Sequence, residues 1–106
     1  MTDKFTTGVQ MIAAERQRQI EVEGFDAAHD NRYQRNELQA AAACYALFSS
    51  DVSGELKNVF TQLWPWPVKW FKPTNTIRDL TKAGALIAAA LDREIRREQD
   101  EQSLDM

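Results

Sequence analysis

Apolar residues recur along this chain three or four positions apart in four separate stretches, the spacing that lines one face of an α-helix. Phe5, Val9, Ile12 and Ile20 predict a first helix over residues 8–23, opened by a Thr7/Gln10 capping box and stopped by Gly24. A polar connection over residues 25–35 follows. Asn36, with Gln39 in the reciprocal position, caps a second helix carrying Leu38, Ala41, Ala42, Tyr45 and Phe48 on one side. Residues 49–54 read as a turn, and Ser53 caps a short third helix bearing Leu56, Val59, Phe60 and Leu63. Thr76 opens the last helix, with Asp79 at the capping-box position and a core stripe of Ile77, Leu80, Gly84, Ile87, Leu91 and Ile95. Its alanines keep this helix thin and suit close packing.

One segment breaks the helical pattern. Residues 64–73 read WPWPVKWFKP and hold all three tryptophans and all three prolines of the chain. Proline fixes its own backbone and restricts the residue before it, so this stretch is expected to be extended or turned. The fold class is therefore all-α: a bundle of four helices with a Trp/Pro-rich extended connection before the last one. Residues 1–97 form a single helical domain, and residues 98–106 form a frayed acidic tail.

Composition narrows the function classes. At 106 residues there is room for one domain, and a 43% hydrophobic fraction is enough to build a core. The net charge of −3 arises from Glu94 onward, which leaves the body near neutral. General nucleic-acid binding needs several phosphate-neutralising cations on one face and is not expected. No apolar run approaches the length needed to span a bilayer, so no membrane partner is expected. Cys44 has no second cysteine to pair with, and no leader pattern precedes the first helix, so the chain reads as cytoplasmic. A domain this small also gains stability from self-association, and a homo-oligomer is expected.

The candidate chemistry is that of binding. A zinc site takes three or four His, Cys or carboxylate ligands, and the chain has one His and one Cys. His29-Asp30 is an isolated pair, readable as a loop histidine bonded to its neighbour. Arg16 interrupts the apolar stripe of the first helix, so it must be paired internally, with Asp30 or Asp79, or contact an anion in a pocket. Trp64, Trp66 and Trp70 on a proline-stiffened strand form either a stacking surface or a plug for the bundle's end. Lys72 lies among these rings, and Arg78 and Lys82 follow at the start of the last helix, where a bound anion is favoured. Gln19, Tyr45 and Asp79 complete the candidate ligand-binding set. Tyr45 also reads as a core-edge residue and Asp79 as a cap.

Two resemblances bear on function. The segments ERQRQ (15–19) leading to EGF (23–25) and HD (29–30), then WPW (64–66) with WFKP (70–73), then RDLTKAGALI (78–87), resemble a family of small proteins of tailed phages and prophages. This implies a cytoplasmic setting in a bacterial host and a role as antagonist of host defence or adjuster of host nucleotide metabolism. The helical architecture is also similar, more distantly, to MazG-type pyrophosphohydrolases, which hold magnesium on carboxylates three apart. Here such pairs occur only as Glu23/Asp26 across Gly24 and Glu98/Glu101 in the tail. The leading expectation is a nucleotide-binding sponge that needs no cofactor and sequesters a signalling nucleotide. The alternatives are a magnesium-dependent pyrophosphohydrolase and a module that blocks a host protein. Catalysis is left open, since no complete catalytic constellation is visible.

Overall fold

A computed structural model describes residues 7–33, 35–48 and 57–104. Five helices and no strand occur among them: α1 (Thr7–Glu21), α2 (Ala27–Asp30), α3 (Glu37–Phe48), α4 (Lys57–Leu63) and α5 (Thr76–Leu104). The all-α expectation holds, with α2 as an added single turn inside the polar connection. Phe5, the 49–54 turn, the Ser53 cap and Leu56 lie outside the described residues. No helix among the described residues is long and apolar enough to cross a membrane.

Local chemistry sets the helix ends. Gly24 takes φ +73°, a conformation that suits glycine, and the chain folds back so that the Phe25 N–H reaches the Gln19 carbonyl at 2.9 Å. This ends α1 at Glu21, two residues before its expected end. Asp26 caps α2 by accepting the His29 N–H at 3.0 Å. The expected capping box of α3 is not closed by Gln39, whose Oε1 is buried without a partner; Glu37 accepts the Arg35 N–H instead. Asn75 caps α5 through the Arg78 N–H at 2.9 Å, and Asp79 reaches back to the Thr74 N–H at 2.9 Å. At its far end α5 runs on to Leu104, through the segment expected to fray. Glu98, Gln99, Glu101 and Gln102 are good helix formers, and no glycine or proline stops the helix there.

The core forms where α3 lies on α5. Leu38, Ala41, Ala42, Cys44, Tyr45 and Phe48 are buried on α3, as its spacing predicts. They meet Ala83, Leu86, Ala89 and Ala90 of α5 in one cluster with Phe60 of α4 and Trp64. The expected core stripe of α5 is overturned: Ile77, Leu80, Ile87, Leu91 and Ile95 are between 46% and 66% exposed. Both flanks of α5 are apolar, so spacing alone does not choose between them. Alanine faces on both helices let the axes approach closely and bring more atoms into dispersion contact, so the alanine flank turns inward. The rings of Phe48, Phe60, Trp64 and Phe71 then fill the remaining volume.

The stripe of α1 is corrected in the same way. Val9 and Ile20 are exposed, while Glu15 and Gln19 are buried at 3% and 4% exposure. Helix α1 crosses α5 at Gly84, where a Cβ would stand 2.5 Å from Ile12 Cδ1. Glycine is needed for that approach. The crossing carries Glu15 to Arg78 on one side and Arg16 to Asp92 on the other.

Candidate functional site

A cavity of about 310 Å³ opens between α1, α3, the Trp/Pro segment and the first half of α5. Trp64, Trp66, Trp70, Phe25, Tyr45 and Leu86 form its apolar walls, and Glu15, Arg18, Gln19, Glu23, Lys72 and Lys82 supply its polar groups. Seven of the sequence candidates thus come together: Gln19, Tyr45, Trp64, Trp66, Trp70, Lys72 and Lys82. An adjoining apolar slot of about 370 Å³ shares Phe25, Trp66, Trp70 and Leu86 as a common wall and adds His29, Arg32, Tyr33 and Leu38.

The tryptophans divide by role. Trp64 is 8% exposed, donates its indole N–H to the Pro67 carbonyl at 3.1 Å and packs on Tyr45, Phe60 and Phe71. It is a core residue, the plug that one reading of the segment expects. Trp70 is 51% exposed and stands beside Trp66 at 6.4 Å between ring centroids. Trp66 is half-buried, and its Nε1 is buried without a hydrogen-bond partner. A one-turn 3-10 helix, Val68–Trp70, lets Trp70 return to the cavity that Trp66 lines.

An ion-paired network underlies the polar side. Glu15 receives Arg18 Nε at 2.9 Å, Arg18 Nη2 at 3.0 Å and Arg78 Nη1 at 2.6 Å. Burial acts to raise its pKa, but the hydrogen bonds from Arg18 and Arg78 outweigh it and hold the carboxyl down to about 2. Arg18 also binds Glu23 at 2.7 Å, and its two carboxylate partners hold its pKa above the ordinary arginine value. Gln19 Nε2 donates to Glu15 Oε2 at 3.3 Å, which orients the amide and leaves Gln19 Oε1 as its buried, unpartnered atom. Two residues of the cavity lining thus carry a buried polar atom without a protein partner, an acceptor on Gln19 and a donor on Trp66.

Lys82 Nζ donates to the Lys72 carbonyl at 2.8 Å and sits 5.3 Å from the Tyr45 ring centre. Burial, aided by nearby Arg78, lowers its pKa. The Tyr45 hydroxyl accepts the Lys72 N–H at 3.1 Å, and burial raises its pKa.

The other sequence candidates serve the scaffold. Arg16 spans Asp30 at 2.9 Å and the Phe25 carbonyl at 3.0 Å, which is the internal pairing and not an anion contact in this cavity. His29 Nδ1 lies 2.9 Å from Asp30 Oδ1, and its ring stacks on Phe25 with centroids 4.4 Å apart, at the edge of the apolar slot. Asp79 is buried as the Thr74 partner, and Arg78 acts through Glu15 behind the cavity wall. Five lining residues stand outside the ligand-binding set read from the sequence: Glu15, Arg18, Glu23, Phe25 and Leu86. A signal for the first four exists in the Glu15/Arg18 spacing and in Gly24, whose turn returns Phe25 to α1.

Among the described residues no three His, Cys, Asp or Glu side chains gather as a metal-binding group. Cys44 is fully buried on the core face of α3, and burial pushes its thiol up to about 11. No protein-family model, curated protein or solved structure matches the chain, so what the site does rests on its own chemistry.

Proposed function

We propose that the aromatic cavity binds a small nucleotide and holds it uncleaved, the protein acting as a sponge for a signalling nucleotide. The observation that carries this reading is an aromatic-walled cavity lined by Trp66, Trp70, Lys72 and Lys82, in which Trp66 Nε1 and Gln19 Oε1 are a donor and an acceptor without protein partners. A nucleobase offers complementary donors and acceptors along its edge, together with a flat face for stacking. Trp70 and Trp66 supply the stacking surface, and Lys72, Lys82 and Arg18 supply cations for its phosphate. The oxygens of Glu15 are taken by two arginines and Gln19, an arrangement suited to orienting Gln19 and not to holding a metal. The resemblance to small phage proteins suggests a host defence signal as the sequestered nucleotide.

The same reading includes self-association. Five large apolar residues stand exposed on α5, and the radius of gyration is 15.4 Å. A compact chain of this length is expected near 13 Å. Ile87, Leu91 and Ile95 follow one another four residues apart, so a second copy would bury a continuous stripe.

A thermal-shift screen against mono-, di- and cyclic nucleotides, with and without magnesium, tests the function. At a ligand concentration about a hundred times its dissociation constant, Tm should rise on the order of 10 °C. The ligand should be recovered intact, and Lys82→Ala should abolish the shift while the protein stays folded. Recovery of cleaved nucleotide would replace the sponge with the pyrophosphohydrolase, and no shift with any nucleotide would refute the reading.

A further inference from the structure

A second polar groove, of about 570 Å³, lies along the later turns of α5 and is lined by Asn31, Arg93, Arg96, Arg97, Gln99 and Asp100. Arg93 lies seven residues beyond Leu86, about 10 Å further along the helix than the aromatic cavity's wall. It continues the inward alanine flank of α5 and is only 2% exposed. Packing alone would favour an apolar residue at that place, because a buried guanidinium must recover its lost hydration through hydrogen bonds.

Arg93 recovers little of it. Its Nη2 donates to Glu94 Oε1 at 3.0 Å, but Nε and Nη1 are buried without partners. The same Glu94 oxygen also receives Arg97 Nη1 at 3.0 Å, so one carboxylate oxygen serves two guanidiniums. Arg96 donates Nη2 to the neutral Asn31 Oδ1 at 3.0 Å, and its own Nε is buried and unpartnered. Arg16 also leaves its Nε without a hydrogen bond, but both of its terminal nitrogens are bonded, to Phe25 and Asp30, whereas Arg93 bonds only one of its two. With Asp100 and Glu94 set against three guanidiniums, the groove retains an excess of positive charge.

We infer that this groove is an anion site for a phosphoryl group, held by the open N–H groups of Arg93 and Arg96, with Arg97 at the rim. A phosphoryl group brings several acceptor oxygens at once, which matches three unpartnered nitrogens, all N–H donors, on two neighbouring guanidiniums. Asn31, at the C-terminal cap of α2, fixes the Arg96 fork and so ties occupancy of the groove to the seating of α2 on α5.

The test is an NMR titration of the full chain with inorganic phosphate and with pyrophosphate at constant ionic strength, reading the Nε–Hε signals of Arg93 and Arg96. Both signals should shift saturably. Arg96→Gln should weaken binding about tenfold, the effect of one lost charge-assisted hydrogen bond. Arg97→Gln, at an exposed position, should weaken it less and leave the fold intact. Lys82→Ala should leave the titration unchanged, which separates this site from the nucleotide cavity. Shifts that never saturate, shifts insensitive to Arg96→Gln, or phosphate effects confined to Lys72 and Lys82 would each overturn the assignment.

Discussion

Glu15→Gln tests the central ion pair that joins α1 to α5. In the native protein Glu15 is 3% exposed and lies between Arg18 and Arg78, the latter 63 positions away in the chain. A carboxyl held at about 2 instead of the ordinary 4.5 favours the folded state by about 3 kcal/mol when ionised. Because the folded pKa is depressed, that contribution is complete above the unfolded pKa and is lost as pH falls from about 4.5 towards 2. Glutamine keeps the shape but not the charge, and it leaves Arg18 and Arg78 facing each other without a counter-ion. At neutral pH the variant should therefore be less stable by about 3 kcal/mol, a large share of the 5–15 kcal/mol typical of small domains. Urea unfolding followed by tryptophan fluorescence, repeated from neutral pH downward, measures the gap between the two proteins. The gap should have nearly closed as pH nears 2, where half of the wild-type carboxyl is itself protonated. A gap below about 1 kcal/mol at neutral pH, or one that does not narrow in acid, would refute the reasoning.

Two further outcomes follow from the packing of α5. Gly84→Leu places a side chain where even a Cβ would meet Ile12 at 2.5 Å, so it should lower unfolding stability by about 3 kcal/mol or more by driving α1 off α5. An unchanged urea midpoint would show that the crossing is not close-packed. Leu91→Glu, on the exposed stripe, should leave the helical circular-dichroism signal intact and reduce the mass seen in sedimentation equilibrium to that of one chain. A wild-type protein already at the monomer mass would remove the case for self-association through this stripe.

Much of this protein is determined locally. The helical spacing of Leu38, Ala41, Tyr45 and Phe48 places α3 and its buried face, because three of the helix's four large apolar side chains, Leu38, Tyr45 and Phe48, lie on that side. Proline chemistry likewise interrupts the helices at residues 65–73, and Gly24 marks the turn after α1. The residue types of the candidate site are also legible: aromatic rings and lysines within a few positions of one another suit a stacked, anionic ligand.

Tertiary structure decides what local pattern leaves degenerate. Helix α5 is apolar on two flanks, and only the fit of its alanines to those of α3 turns Ile77, Leu80, Ile87, Leu91 and Ile95 outward. Gln19 and Trp66 stand 47 positions apart in the chain, and no sequence spacing reveals that both line one cavity or that each keeps a buried polar atom without a partner. Arg93 reads as one charge among many in the last helix until packing removes its water. Hydrophobic periodicity is a property of neighbours in the chain. Which polar atoms remain unsatisfied depends on every group packed around them, and that is settled only by the folded structure.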